Sequence, residues 1–247
     1  YRDTSLLLDV FTSEHGRVGL VARGARRASS PLRGTLQPFA PLLLSWSGRG
    51  ELCTLTGAER GAVGPVPAGR ALLCGLYVNE LVMRFTHRNE PHRVLFAHYA
   101  ATLAELGGSM DEQQVLRRFE KTLLEEVGFG LILDHDVERG EPVTADLSYA
   151  YVPERGPVRC TSPMDGVPIV RGATLIALDT GTGLEAGQSH EAKRLMRAVI
   201  EHHLAGRPLV SRTLFRAGGG RAGKREVPMA AEEPAHYGDD DPPERSA

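Results

Sequence analysis

The sequence predicts an α+β chain in two parts: a small β-barrel, then an α-helical domain with a small irregular β insertion. Three observations predict it. Apolar residues alternate with period two through the first 60 or so positions. The stretch GAVGPVPAG then breaks every period with Gly and Pro. From Ala68 onward, apolar residues recur at helical spacing in one amphipathic stretch after another. At 247 residues, 41% hydrophobic and 24% charged, the chain has the mass for real cores and the composition of a soluble globular protein.

Residues 5–11, SLLLDVF, read as a strand, EHGR as a turn through Gly16, and RVGLVAR as the returning strand. In that second strand Val18, Leu20 and Ala22 face one way, and Arg17, Gly19, Val21 and Arg23 the other. GARRASSPLRG is a Gly, Ser and Pro loop. LQPFAPLLLSW is extended, because its two prolines forbid a helix and suit a sheet edge or a bulge. SGRG turns the chain and ELCTLTG returns it. Four or five short strands at this spacing predict a small Greek-key barrel over residues 1–64.

The helical domain spans residues 67–216. AGRALLCGLYVNELVMRF sets Leu73, Tyr77, Leu81 and Phe85 four apart. Pro91 starts a second helix, with Phe96, Tyr99, Leu103 and Leu106 on one stripe. DEQQVLRRFEKTLLEEVG opens on acids, which suit the positive end of a helix, and closes on Gly128. Residues 129–165 are mixed, with SYAYV and PVRC as short strands. SHEAKRLMRAVIEHHLAG predicts a fourth helix and PLVSRTLFR a short fifth. From 217 to 247 Gly, Ala, Pro and acids dominate, the composition of a disordered acidic tail.

The formal net charge of -2 hides a polarised distribution. From His15 to Gly50 there is no Asp or Glu, against Arg17, Arg23, Arg26, Arg27, Arg33 and Arg49. Residues 207–225 hold six basic groups and no acid, whereas residues 226–247 hold seven acids and one arginine. Local basic patches attract polyanions through the field they create. Arginine supplies planar forks that match phosphate and stack on bases. Small barrels hold single-stranded nucleic acid along such a groove, with aromatics as stacking surfaces. Trp46, beside SGRG, is a stacking candidate, and Phe39 fits either stacking or the core.

Little in the chain reads as bond chemistry. GGGRAGK has the spacing of a phosphate-binding loop, but Arg225 stands where a Ser or Thr would hold Mg²⁺, and neither a strand nor a helix flanks it. Cys53, Cys74 and Cys160 form no C-x-x-C pair, which argues against a disulfide framework and a four-cysteine zinc site. Asp134–His135–Asp136 and His202–His203 read as surface polar residues rather than metal ligands, and Asn79–Glu80 as a buried capping or bridging pair. No nucleophile, base and orienting group assemble, so no enzyme, catalytic residue, metal or cofactor is expected. The scattered cysteines make the reducing cytoplasm the expected compartment, and no apolar run approaches the length of a membrane span. The chain opens on Tyr1 inside a strand, which leads us to expect residues upstream of it.

Five stretches in order, TSLLLDVFTSEHGRVGLVARGAR, LRGTLQPFAPLLLSWSGRGEL, GLYVNEL, LRRFEKTLLEEVGFG and GRPLVSRTLFR, together resemble the bacterial RecO family of recombination mediators. The resemblance implies an N-terminal OB-fold, its first strand completed by about a dozen residues ahead of Tyr1. It implies binding of single- and double-stranded DNA, strand annealing, and contact with the single-strand-binding protein and with RecR. Together these load the RecA recombinase in DNA repair, which places the chain at the nucleoid. Some members carry a four-cysteine zinc module, but only Cys160 stands in the matching region here, so the resemblance is to the zinc-free branch. Carried over by position, Arg23, Arg26, Arg27 and Arg33 contact phosphate. Arg17 and Arg49 fit that role or simple turn solubility. Arg117, Arg118 and Phe119 fall where a basic, partly apolar groove takes the acidic tail of single-strand-binding protein, and Arg118 equally fits an exposed helix-surface pair. The run from Arg207 to Arg225 extends the DNA path or meets RecR. A rival reading is a protein-interaction scaffold whose basic face binds an acidic partner. A metal-dependent nuclease is a more distant one.

Overall fold

The computed structural model describes residues 4–62, 64–108, 110–162 and 166–218. Strands β1 (Leu6–Thr12) and β2 (Gly16–Ala22) form an antiparallel hairpin, with Leu6 opposite Ala22 and Thr12 opposite Gly16. Strand β3 (Leu42–Ser47) pairs antiparallel with β4 (Leu52–Arg60) through a bulge at Ser45–Trp46, and β4 runs parallel to β2. The order β1-β2-β4-β3 is an open, OB-like sheet. At one end the β1–β2 turn reaches β3, where His15 meets Trp46 edge to face at 5.3 Å. Alternation decides the inside: Val18, Leu20, Ala22, Cys53 and Leu55 are buried there, with Leu6, Leu8, Val10, Leu44 and Trp46 packed around them.

The loop after β2 holds a short helix, α1 (Leu32–Thr35), which a reading based on Gly, Ser and Pro did not foresee. Pro31 sits at its start with φ of -63°, and Leu32 and Leu36 turn inward to close one end of the β-core. The expected extended run from Leu36 shortens to Leu42–Ser47, because Phe39 takes a left-handed conformation at φ 63°. That turn sends the Phe39 ring against α2 (Arg70–Phe85), where only a glycine leaves room. A Cβ on Gly75 would lie 2.9 Å from the ring.

The helical domain continues with α3 (Arg93–Gly107), α4 (Glu112–Glu126), α5 (Gly172–Thr180), α6 (Ala186–His203) and α7 (Ser211–Gly218). Asp111 caps α4 by accepting the Gln113 N–H at 2.9 Å, and Glu185 with Gln188 forms a capping box on α6. Strands β5 (Ser148–Val152), β6 (Gly156–Arg159) and β7 (Ile169–Arg171) make a three-stranded insertion, ordered β6-β5-β7. Strand β7 and helix α5 escaped the sequence reading, since both are short and apolar without a clear period. Leu81, Leu95, Phe119, Leu123, Leu175, Leu195 and Ile200 are buried at the centre of one core.

The two parts are welded together. Phe11 of β1 packs edge-on against Phe96 and Tyr99 of α3 at 5.6 and 5.5 Å. Gly16, at φ 62°, lies so close to the Glu90 carbonyl that a side chain there would collide with it. Asp9 pairs with Arg88 at 2.7 Å, and Glu14 with Arg93. This junction explains why every residue of β2 is buried: its inner face fills the β-core and its outer face lies under the helical domain.

Candidate nucleic-acid interface

Beyond Ala22 the chain alternates anchors with arginines. Ala22 and Ala25 are buried, whereas Arg23, Arg26, Arg27 and Arg33 are exposed. Successive turns hold the loop: the Arg26 N–H donates to the Thr4 carbonyl at 3.0 Å, Arg27 to Gly24 at 3.1 Å and Ser30 to Arg27 at 3.0 Å. Arg26 and Arg33 line one cleft of about 300 Å³ with Leu6, Ala25, Leu32 and Leu36. A fifth guanidinium joins them from β4, where Arg60 Nη2 donates to the Gly34 carbonyl at 2.5 Å. Among the described residues none of these five forms an ion pair, so their charge faces solvent. Arg60 lies beyond the acid-free window that ends at Gly50, and Glu59 precedes it. Strand alternation sends the two side chains to opposite faces, a signal that was available.

The other arginines assigned to this surface do not join it. Arg17 is a correction: it is 9% exposed and fully used. Its Nε and Nη2 donate to Asp9 at 3.3 and 3.0 Å, and its Nη1 donates to the carbonyls of Met83 and Thr86 at 2.6 and 2.9 Å. Those carbonyls end α2, where a cation also offsets the helix dipole. Arg17 therefore locks the domains together and cannot reach a phosphate. Arg49 is exposed, but at the β3–β4 tip; the nine residues of β4 put roughly 25–30 Å between it and Arg60. Trp46 is half-buried, packed against the β-core on one side and edge to face with His15. Phe39, left open between stacking and core, is a packing residue at the domain junction.

The partner site on α4 is also corrected. Arg117 is 5% exposed, and Phe119 lies in the core at 1%. Arg117 makes a bidentate pair with the buried Glu120, Nε to Oε2 at 2.6 Å and Nη2 to Oε1 at 2.5 Å, and the Tyr77 hydroxyl donates to the same carboxylate at 2.7 Å. Burial, then the Glu120 charge, pushes the Tyr77 phenol well above its ordinary value. For Arg117, burial opposes the charge, but Glu120 outweighs it and raises the guanidinium's pKa. Arg118, one residue on, is exposed and paired with Glu105. Successive helical residues point about 100° apart, so of two adjacent arginines only one reaches the surface.

Asn79 and Glu80 do cap and bridge. Asn79 accepts from the Tyr99 hydroxyl at 2.7 Å. The Glu80 carboxylate accepts the N–H groups of Val210 and Ser211, both at 2.8 Å, and the Ser211 hydroxyl at 2.6 Å. It thereby caps α7 from 130 residues away, joining GLYVNEL to GRPLVSRTLFR. Asp136 is buried in the turn before the insertion and accepts from the backbone of Glu138, Arg139 and Arg159 at 2.8 to 3.0 Å. Burial alone would raise its carboxyl, but the three N–H donors, Arg159 first, hold it below the usual carboxylate range. Among the described residues no three His, Cys, Asp or Glu side chains cluster as for a metal, and no helix is long and apolar enough to cross a membrane. Apart from Gly218, GGGRAGK lies outside the described residues.

The class defined by this fold is a two-part chain, an open OB-like sheet welded to an α-helical domain, with exposed arginines that form no ion pair among the described residues. Two family models match it in turn. "Recombination protein O N terminal" covers residues 1–61 and "Recombination protein O C terminal" covers residues 67–213. The chain belongs to the RecO family of DNA repair proteins. Its similarity to the DNA repair protein RecO of Azoarcus sp. (strain BH72) is 45% identity over 218 residues, covering 87% of this chain and 90% of that one. To its counterpart in Nitrosococcus oceani it is 47% identical, over 87% of each chain. To that of Cupriavidus pinatubonensis it is 46% identical, over 87% of this chain and 74% of that one.

Proposed function

We propose that the chain binds single- and double-stranded DNA through Arg23, Arg26, Arg27, Arg33 and Arg60, without regard to sequence, and anneals complementary strands. One observation carries this reading: five exposed guanidinium groups at one end of the OB-like sheet, with no carboxylate paired to any of them among the described residues. Such groups neutralise phosphates and release counterions, which lowers the repulsion between two strands. Base pairing then supplies the specificity, so the protein performs no bond chemistry and reads no base edges. The test is fluorescence anisotropy with single-stranded DNA over a salt series. Binding whose affinity falls steeply with salt is the expected result, and affinity indifferent to salt would remove the arginine ridge from the account.

The relatives' shared role in DNA repair supports a wider assignment. In it the protein works in the cytoplasm at the nucleoid, meets single-strand-binding protein and RecR, and promotes RecA loading. On α4 the partner contact narrows to Arg118, whose exposed pairing with Glu105 an acidic tail can displace. The same ridge would suit an acidic protein in a scaffold. Competition separates the two: a scaffold keeps its protein partner in excess oligonucleotide, whereas a DNA binder surrenders it.

A further inference from the structure

The arginine ridge stands uncompensated among the described residues, and the same chain carries its countercharge. Residues 226–247 hold Glu226, Glu232, Glu233, Asp239, Asp240, Asp241 and Glu244 against a single cation, Arg245. We propose that this acidic segment occupies the ridge of Arg23, Arg26, Arg27, Arg33 and Arg60 when DNA is absent, and yields it to a phosphate backbone. The inference rests on the DNA-binding reading for the meaning of the ridge.

Three arguments select this occupant. The first is complementarity: the segment's net charge of -6 faces five guanidinium groups with no ion pair among the described residues. The second is reach. Helix α7 ends at Gly218, and the 29 residues after it span up to about 100 Å when extended. The third is surplus. The nearest cations, Arg221, Lys224 and Arg225, together with Arg245 inside the segment, can offset four of seven carboxylates, which leaves three seeking another partner. Tethering supplies an effective concentration on the order of millimolar, so weak ionic contacts suffice at low salt. Salt screens them over a Debye length of about 8 Å at physiological strength. DNA must then displace carboxylates, which weakens its apparent affinity at low salt.

The test compares the full chain with a full-length variant carrying Glu232→Gln, Glu233→Gln, Asp239→Asn, Asp240→Asn and Asp241→Asn, by anisotropy on labelled single-stranded DNA. The variant is expected to bind about tenfold tighter near 50 mM salt, with the gap closing toward roughly 300 mM. Equal affinity at low salt in two chains that both bind DNA overturns the inference and leaves the DNA reading standing. If neither chain binds DNA, that reading fails, and a measurement without DNA judges the inference. Arg27→Lys keeps the charge and supplies an amine that a carbodiimide couples to a touching carboxylate. The native lysines are Lys121, Lys193 and Lys224, so cross-links are easily assigned. A cross-link from position 27 to the 226–247 peptide supports the inference, and cross-links to Lys224 alone overturn it.

Discussion

Arg17 and Asp9 lie on adjacent strands and meet through two hydrogen bonds, at 3.0 and 3.3 Å, on the outer face of the OB-like sheet. The pair leaves Arg17 Nη1 free to hold the carbonyl end of α2, so one side chain ties the sheet to the helical domain. Removing it strands two helix-end carbonyls and half of a carboxylate's partners in a poorly hydrated junction. Arg17→Ala is therefore expected to lower stability by about 2–4 kcal/mol. A urea titration followed by circular dichroism checks this. DNA affinity of the folded variant is expected to stay within about twofold of the parent.

The ridge behaves differently. Arg23→Glu with Arg27→Glu is expected to weaken DNA binding at every sequence and to flatten its salt dependence, with little change in melting temperature, because both side chains are solvated. Arg60→Ala is expected to reduce the salt slope by about one, the signature of a single lost phosphate contact. Salt-series titrations of each variant read both effects. An Arg49→Ala variant with the same slope change as Arg60→Ala would extend the site to the far end of β4.

On α4 two adjacent arginines are expected to give opposite outcomes. Arg117→Ala leaves Glu120 charged and buried, and should cost about 3–5 kcal/mol in thermal or urea unfolding. Arg118→Ala should leave unfolding nearly unchanged, since exposed ion pairs contribute at most about 1 kcal/mol. If α4 holds an acidic partner tail, Arg118→Ala weakens binding of that tail peptide, measured by calorimetry, and leaves oligonucleotide binding intact.

Asp136 makes stability depend on acid. Its carboxyl sits lower in the folded chain than in the unfolded one, where about 3.9 is ordinary. The folded state thus binds the proton less readily. The contribution is fully present above the unfolded value and is lost as pH falls through the lower, folded one. Asp136→Asn is expected to cost about 1–3 kcal/mol at pH 7, and the variant's unfolding curve should approach the parent's as pH falls through the lowered carboxyl of the folded chain. Urea midpoints across pH give the answer.

Much of this architecture was legible beforehand. Period two in SLLLDVF and RVGLVAR, and the Leu and Phe stripes after Ala68, depend on neighbours in sequence, and so the strands and long helices emerged near their observed bounds. Helix α5 and strand β7 did not, because short apolar segments carry no period to read. The surroundings of Trp46 were not legible for a related reason: a bulge at Ser45–Trp46 and the contact with His15 set them, and neither is local.

The amino-acid order alone determined that positive charge concentrates near the amino end and that two kinds of structure follow one another. Only the tertiary structure decided which guanidinium groups are available. Arg17 and Arg23 share one face of one hairpin strand in the sequence pattern, yet Met83 and Thr86 claim the first and nothing described claims the second. Arg117 and Arg118 are adjacent, yet Glu120 and Tyr77 bury one of them. The physical reason is the same in both pairs: residue type sets the charge, but partners brought from elsewhere in the fold set whether it meets water.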